Sequence, residues 1–236
     1  MKTIGMIGGM SWESTALYYR MINEAARERA GGLHSAPILL WSFDFAEIEM
    51  LQSSSRWDEA GQRLSRAAQT LERGGAELII ICTNTMHKVA DVVGAAVSIP
   101  VVHIADATAS AIISRGLQTV GLLGTRYTME EPFYAARLEQ QFGLKVLVPA
   151  YEDRVLINQV IYEELVLGNA ETASKREYLR IIRALIAAGA EGIILGCTEI
   201  GLLIGQQDCD VPVFDTTRIH ALAAFDVAMM QTGADA

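Results

Sequence analysis

The segment Lys2-Thr-Ile-Gly-Met-Ile-Gly8 returns 116 residues later as Gln118-Thr-Val-Gly-Leu-Leu-Gly124. Two further matches keep the same order. Gly75-Ala-Glu77 and Gly189-Ala-Glu191, each leading into an apolar run, stand 114 apart, and Pro100-Val101 and Pro212-Val213 stand 112 apart. Buried strands that follow glycine turns resemble one another in many chains. Three matches in one order at a nearly constant offset go further and point to a duplicated architecture.

The repeated unit alternates strand-like and helix-like segments. Thr3–Ile7, Ala36–Phe43, Glu77–Cys82 and Pro100–Ile104 read as buried strands, and Thr119–Leu123, Lys145–Val148, Gly192–Gly196 and Val211–Phe214 form the second set. Ser14–Arg29, Asp58–Arg73 and Thr85–Val93 read as helices between strands of the first set. Short apolar strands separated by helices imply parallel sheets covered on both faces. The expected fold is therefore α/β, with two pseudo-repeated halves, each a mostly parallel sheet flanked by helices, and an active site in the cleft between them. The boundary is expected near Arg115-Gly116-Leu117, giving a half over 1–115 and a pseudo-twofold-related half over 116–236, with the C-terminal helix free to pack across onto the first.

Of 236 residues 51% are hydrophobic, enough apolar surface to exclude disorder, and 19 Lys and Arg against 28 Asp and Glu leave a net charge of −9. That surface repels phosphate backbones and anionic lipid, so neither nucleic acid nor a membrane is an expected partner. No apolar run approaches the ~18 residues of a membrane span. The opening MKTIGMIGGM is interrupted by glycines and reads as a first strand rather than a signal peptide. Cys82, Cys197 and Cys209 are odd in number and widely spaced, which argues against a disulfide framework or a structural zinc site and for a reducing, cytoplasmic setting.

Extending the third-strand match without a gap sets Thr83, not Cys82, opposite Cys197. Both stand just past the carboxyl end of a strand, the edge where ligands of open parallel sheets collect. Gly5-Met-Ile-Gly8-Gly9-Met10-Ser11 lacks the G-x-G-x-x-G spacing of a dinucleotide site, so its glycines are expected to admit a small ligand while Ser11 or Ser14 caps the helix. In Cys82-Thr83-Asn84-Thr85-Met86-His87 the hydroxyls and amide serve either as an ordinary helix cap or as a carboxylate-binding nest. Strand alternation turns Cys82 into the packing. For Cys197, in Gly196-Cys197-Thr198-Glu199, a strand end before a helix predicts a depressed thiol pKa. Cys209, in a polar loop, reads as incidental. Pyridoxal phosphate would need a Schiff-base lysine, and only Lys2, Lys88, Lys145 and Lys175 exist, with Lys88 expected on an exposed helix face. A Cys–His hydrolase would need His34, His87, His103 or His220 within reach of Cys197. No metal-binding motif is present, so no metal is expected.

Thr83-Asn84-Thr85-Met86-His87 and Gly196-Cys197-Thr198-Glu199 resemble the paired C-N-T-x-H and G-C-T-E motifs of the cofactor-independent aspartate/glutamate racemase superfamily. Ile7-Gly8-Gly9-Met10-Ser11-Trp12-Glu13-Ser14-Thr15 and Gly124-Thr125 are similar to that family as well, so the likeness covers essentially the whole chain. It is nearest to the bacterial L-aspartate/glutamate-specific or broad-specificity amino-acid racemases. The resemblance implies an isomerase that needs no pyridoxal phosphate or other cofactor, acts on a small amino acid and forms a homodimer. One cysteine of such a pair removes the α-proton as thiolate, and its opposite returns a proton to the far face.

Carried onto this chain, the resemblance makes Cys197 the thiolate base and puts Thr83 at the second acid/base position. Asn84, Thr85 and Thr198 would hold the α-carboxylate, Met10 would line the pocket, and Gln52 and Thr125 would also contact substrate. Two departures stand out. Thr83 replaces a cysteine, and a hydroxyl is a poor general base beside a thiol, so the chain should begin more readily from the enantiomer whose α-hydrogen faces Cys197, by resemblance the L form. Tyr162-Glu163-Glu164-Leu165 offers no basic residue to a distal carboxylate, and Arg56 is a nearby candidate. The alternatives are a same-fold one-cysteine lyase or cis-trans isomerase of small dicarboxylates, and a ligand-binding module without turnover.

Overall fold

A computed structural model describes residues 1–230. Its eight strands are β1 (Ile4–Gly8), β2 (Ile38–Ser42), β3 (Leu78–Ile81), β4 (Val101–Val102), β5 (Thr119–Gly124), β6 (Lys145–Leu147), β7 (Gly192–Gly196) and β8 (Val213–Asp215). They form two four-stranded sheets, ordered β2-β1-β3-β4 and β6-β5-β7-β8, and every pairing is parallel. Both sheets thus follow the same strand order, with the first and third strands of each half in the middle. The two pseudo-repeated α/β halves are what the fold contains.

Register carries the repeat to single residues. Ile7 pairs with Ile81 in the first sheet, and their counterparts Leu123 and Leu195 pair in the second. Ile79 pairs with Val101, and Ile193 with Val213. The 116, 114 and 112 offsets are therefore strand pairings and not chance likeness. The Gly-Ala-Glu motif has a mechanical reason as well. Gly75 and Gly189 turn the chain at φ +99° and +104°, conformations open to glycine. Glu77 accepts the Thr3 amide at 2.7 Å, and Glu191 accepts the Thr119 amide at 2.8 Å, so each carboxylate anchors the start of the neighbouring strand.

The described chain divides into two compact units, 1–103 with 220–230 and 104–219. Helix Ile104–Ile113 groups with the second unit and not with the first half, because Ile104, Ala105, Ala109 and Ile112 pack with Val120, Leu122 and Ile194. Ile104 consequently opens a helix where the sequence reading ended a strand. Residues 220–230 belong to the first unit, where Ala221, Ala224, Phe225 and Ala228 pack with Ile4, Met6, Tyr18 and Ile80. Strand β2 departs from expectation too: it is a sheet edge, and Leu40, Trp41 and Ser42 are exposed rather than buried. Among the described residues no helix is long and apolar enough to cross a membrane.

Candidate active site

In the first unit, β1 ends at Gly8 and turns through Gly9, whose φ of +84° favours glycine. A Cβ on Gly8 would land on the Thr15 side chain, which has to be there: Thr15 Oγ1 accepts the Gly9 amide at 2.9 Å and donates to the Ser11 carbonyl at 2.9 Å. Ser11 caps helix Trp12–Ala30, accepting the Ser14 amide at 3.2 Å, so the capping expectation is met by Ser11. Met10 is buried against Ile7, Leu51 and Met86. Gln52 is buried as well, and its Nε2 donates to Met86 Sδ at 3.1 Å. Met10, Gln52 and the turn that carries Asn84 and Thr85 are thereby brought together around Met86.

That turn is not the start of an ordinary α-helix. Thr85–Val89 is a 3₁₀ segment, and the α-helix begins only at Ala90. Asn84 stands at its head without a side-chain capping bond, so the cap reading does not describe what its side chain does. Thr83 is half-buried, whereas Asn84 and Thr85 beside it are buried. Cys82 points into the core among Ile80, Leu78 and Phe225, and burial pushes its thiol far above the ordinary range. Strand alternation accounts for that orientation. Lys88 is only part-exposed, its Nζ 3.9 Å from the Trp57 ring centre in a cation–π contact.

The second unit repeats the plan. Thr125 caps Arg126–Glu130 and accepts the Thr128 amide at 3.4 Å, as Ser11 does for Ser14. Gly124 pairs with Gly196 across β5 and β7, so Thr125 and Cys197, the next residue of each strand, leave one sheet edge side by side. Cys197 heads a 3₁₀ segment, Thr198–Leu202, and is buried with Ile200, Met129 and Ile157. Its Sγ donates to Glu199 Oε2 at 2.9 Å, and Thr198 Oγ1 donates to the same oxygen at 2.6 Å.

The expected depression of the Cys197 pKa is corrected here. Burial first, and then the adjacent Glu199 carboxylate, hold the thiol well above its ordinary range. A short 3₁₀ turn offers little of the aligned dipole that a long α-helix would supply. Ionisation of Cys197 therefore needs an acceptor for its proton, and Glu199 is in place as one. Glu199 was part of the motif but escaped the sequence reading as a participant. Its adjacency in sequence was visible, while the turn that folds it back onto the thiol was not.

Arg56, the basic candidate in the first unit, is ion-paired with Glu59 on an exposed helix start. The segment around Tyr162 and Glu163 instead lines a cleft of about 500 Å³ with Arg126, Glu130, Arg154 and Asn158. Arg154 is held by Glu130 at 2.9 Å, while the Arg126 amide is fixed by Asn158 Oδ1 at 2.8 Å. Arg126 follows Thr125 directly, at the same sheet edge as Cys197.

Residues 7–224 match the family model for Asp/Glu/hydantoin racemases, so the chain belongs to that family. A glutamate racemase from Pseudomonas putida (strain W619) is 29% identical over 165 residues, 67% of this chain and 60% of that protein. The chain thus matches less than two thirds of that relative's length. A crystal structure from Yersinia pestis, provisionally assigned as an Asp/Glu racemase, is 56% identical with a TM-score of 0.93, covering 98% of this chain and 100% of that one. An aspartate racemase homologue from Pyrococcus horikoshii OT3 is 40% identical with a TM-score of 0.85, again over 98% and 100% of the two chains. The family is that of the Asp/Glu/hydantoin racemases, and the fold is that of these solved structures.

Proposed function

We propose that the protein racemises a small amino acid, aspartate, glutamate or a broader set, without pyridoxal phosphate, by removing the α-proton and returning one to the other face. Cys197 is the base. The observation that carries this reading is the 2.9 Å contact from Cys197 Sγ to Glu199: a thiol that burial keeps protonated has a carboxylate positioned to take its proton. The thiolate so formed abstracts the α-hydrogen, and the electron pair left behind is delocalised into the α-carboxylate. Asn84, Thr85 and Thr198 hold that carboxylate with hydroxyl and amide donors, and Met10, Gln52 and Thr125 complete the substrate contacts.

Thr83 occupies the second acid/base position and serves as a proton donor, directly or through water, rather than as a strong base. Two features support its assignment. It holds the register position equivalent to Cys197, and it is part-exposed while its neighbours are buried. For an acidic substrate, Arg126 is the cation we assign to the distal carboxylate, because it follows Thr125 at the sheet edge that also presents Cys197. The reading also carries a homodimer working in the cytoplasm on free amino acids, with neither nucleic acid nor membrane as partner.

Proton NMR in D₂O, following loss of the α-hydrogen from each enantiomer of aspartate, glutamate and neutral amino acids, tests this directly. Chiral chromatography beside malonate-type substrates separates racemisation from lyase chemistry. Exchange in the wild-type protein that disappears in Cys197→Ser supports the proposal. Ligand binding with no exchange from either enantiomer overturns it in favour of a binding module.

A further inference from the structure

Three histidines lie buried in the first unit behind Thr83: His87 at 3% exposure, His103 at 8% and His220 at 0%. Their rings stack edge to face, with centroids 4.6 Å apart for His87 and His103 and 5.5 Å for His87 and His220. Residues 87, 103 and 220 come from the turn after β3, from the residue after β4 and from the final helix, so only the fold unites them. Buried imidazoles carry polar nitrogens that must be satisfied, and such a cluster in an otherwise apolar interior calls for a reason.

The hydrogen bonds supply one. His87 donates its amide to the Asn84 carbonyl at 3.0 Å, the i to i+3 bond of a 3₁₀ turn, so its amide does not serve the Thr83 carbonyl as it would in an α-helix. The ring does so instead: His87 Nδ1 lies 2.7 Å from Thr83 O. A carbonyl can only accept, so Nδ1 bears the hydrogen. On its other side, the Thr83 amide donates to the Ile81 carbonyl at 2.8 Å. The backbone of Thr83 is thus pinned at both its amide and its carbonyl. His87 in turn is wedged by His220, whose Nε2 donates to Val102 O at 2.8 Å and whose Nδ1 takes the Tyr18 hydroxyl at 2.8 Å.

We propose that His87, braced by His103 and by the His220–Tyr18 pair, is a positioning residue that holds Thr83 for proton return to the face opposite Cys197. The inference rests on the racemase reading above. It assigns to His87 no contact with substrate; it acts through the Thr83 carbonyl. Misplacing a reacting group by ~1 Å can cost on the order of 10²-fold in rate, so a clamp on one of two acid/base positions should be visible in the partition between faces.

That partition is the test. With L-aspartate or L-glutamate in D₂O, whichever the wild-type protein exchanges faster, total α-hydrogen loss is read by NMR and inversion by chiral chromatography. Removal by Cys197 followed by return from Cys197 gives exchange without inversion, whereas return from Thr83 gives inversion. His87→Ala should leave exchange within ~3-fold of wild type yet raise the ratio of exchange to inversion by at least ~10-fold. His87→Asn, whose amide N–H falls near the position of Nδ1–H, should hold the wild-type ratio, and His87→Gln, whose amide falls near Nε2, should not. A merely structural role would lower exchange and inversion together, and an unchanged ratio in His87→Ala overturns the inference. Where His87→Ala does not fold, the Asn and Gln variants decide, equal ratios for the two overturning it. Absence of exchange in the wild-type protein overturns the racemase reading and this inference with it. The ¹⁵N resonances of the native histidines give a check independent of any variant: a His87 Nδ1 without its hydrogen is also fatal.

Discussion

Cys197 and Glu199 are two residues apart in sequence and bonded across 2.9 Å, thiol to carboxylate, inside a single 3₁₀ turn. The relationship couples two opposite effects. The carboxylate raises the thiol's pKa by its charge, and it is also the group able to relieve the thiol of its proton. Both partners are buried side chains.

Cys197→Ser and Cys197→Ala should therefore abolish α-hydrogen exchange, while Cys209→Ser leaves it intact. General-base catalysis is worth roughly 10²–10⁴-fold, so a loss below ~10-fold in either Cys197 variant would refute the assignment. Proton NMR in D₂O reads this without a coupled assay.

Glu199→Gln should lower exchange by on the order of 10² near neutral pH, because the thiol loses its acceptor. The sign of the pH effect follows from the shift. Removing the carboxylate deletes one upward push on the Cys197 pKa, so the variant's thiol ionises at lower pH than that of the wild type, and activity should recover as pH rises. Thiolate absorbance and the rate of exchange, followed together over pH, would show it. Parallel pH–rate profiles for variant and wild type would remove Glu199 from the mechanism.

Thr83→Cys restores a thiol at the position equivalent to Cys197 and should supply a base for the second face. Exchange from the disfavoured enantiomer is expected to rise by at least ~10-fold, about 1.4 kcal/mol of barrier, with less change in the favoured direction. The assay runs under reductant, which excludes disulfide formation by the new thiol. No gain from either enantiomer in the folded, reduced variant would sink the two-face reading.

Cys82 governs stability rather than turnover. Its thiol stays protonated in the fold, whereas an unfolded chain releases that proton above pH ~8.5. The folded state then binds more protons, so stability is fully present below that pH and falls above it, by up to about 1.4 kcal/mol per pH unit for this one group. Cys82→Ala should flatten that slope between roughly pH 8.5 and 10 while preserving exchange activity, as denaturant titrations at successive pH values would report. Folding preserved with turnover destroyed would make Cys82, and not Thr83, the partner of Cys197.

Gly8→Ala should destabilise the protein by about 1–3 kcal/mol, because the added Cβ meets Thr15, with Oγ1 only 2.7 Å away. Thr15→Ser in the same chain removes the methyl and should recover part of the loss. Urea midpoints of the single and double variants measure this, and a neutral Gly8→Ala would show that the turn yields more than its contacts suggest.

All eight strands were legible as short apolar runs, most of them bounded by glycine or proline, and duplication supplied a second copy of the signal for three of the four strand pairs. The positional equivalence of Thr83 and Cys197 was legible for the same reason: Ile7 pairs with Ile81 as their counterparts Leu123 and Leu195 pair. Other features needed three dimensions. Ile38–Ser42 has the apolar run of a buried strand but sits at an edge, and burial depends on sheet order, which periodicity does not encode. A 3₁₀ turn and the first turn of an α-helix share capping residues, so the fold-back of Glu199 and the turn that frees the His87 ring for Thr83 were hidden together. His87, His103 and His220 carry no common spacing at all. The division at 103/104 was missed because Gly116 marks a turn within the second unit as plainly as it would mark a boundary.

The membership of residues 220–230 in the first unit has a consequence for biosynthesis. Ala221, Ala224, Phe225 and Ala228 cover Ile4, Met6, Tyr18 and Ile80, and the Lys2 amide donates to the Ala228 carbonyl at 2.8 Å. A ribosome delivers the partners of this surface only after all of residues 104–219, more than 190 residues after Tyr18. The second unit, continuous over 104–219, has all its parts in hand while the first still waits for its closing helix. During that interval the nascent chain carries an uncovered apolar face, a natural target for chaperones and a reason for the molecule to complete its middle before its beginning.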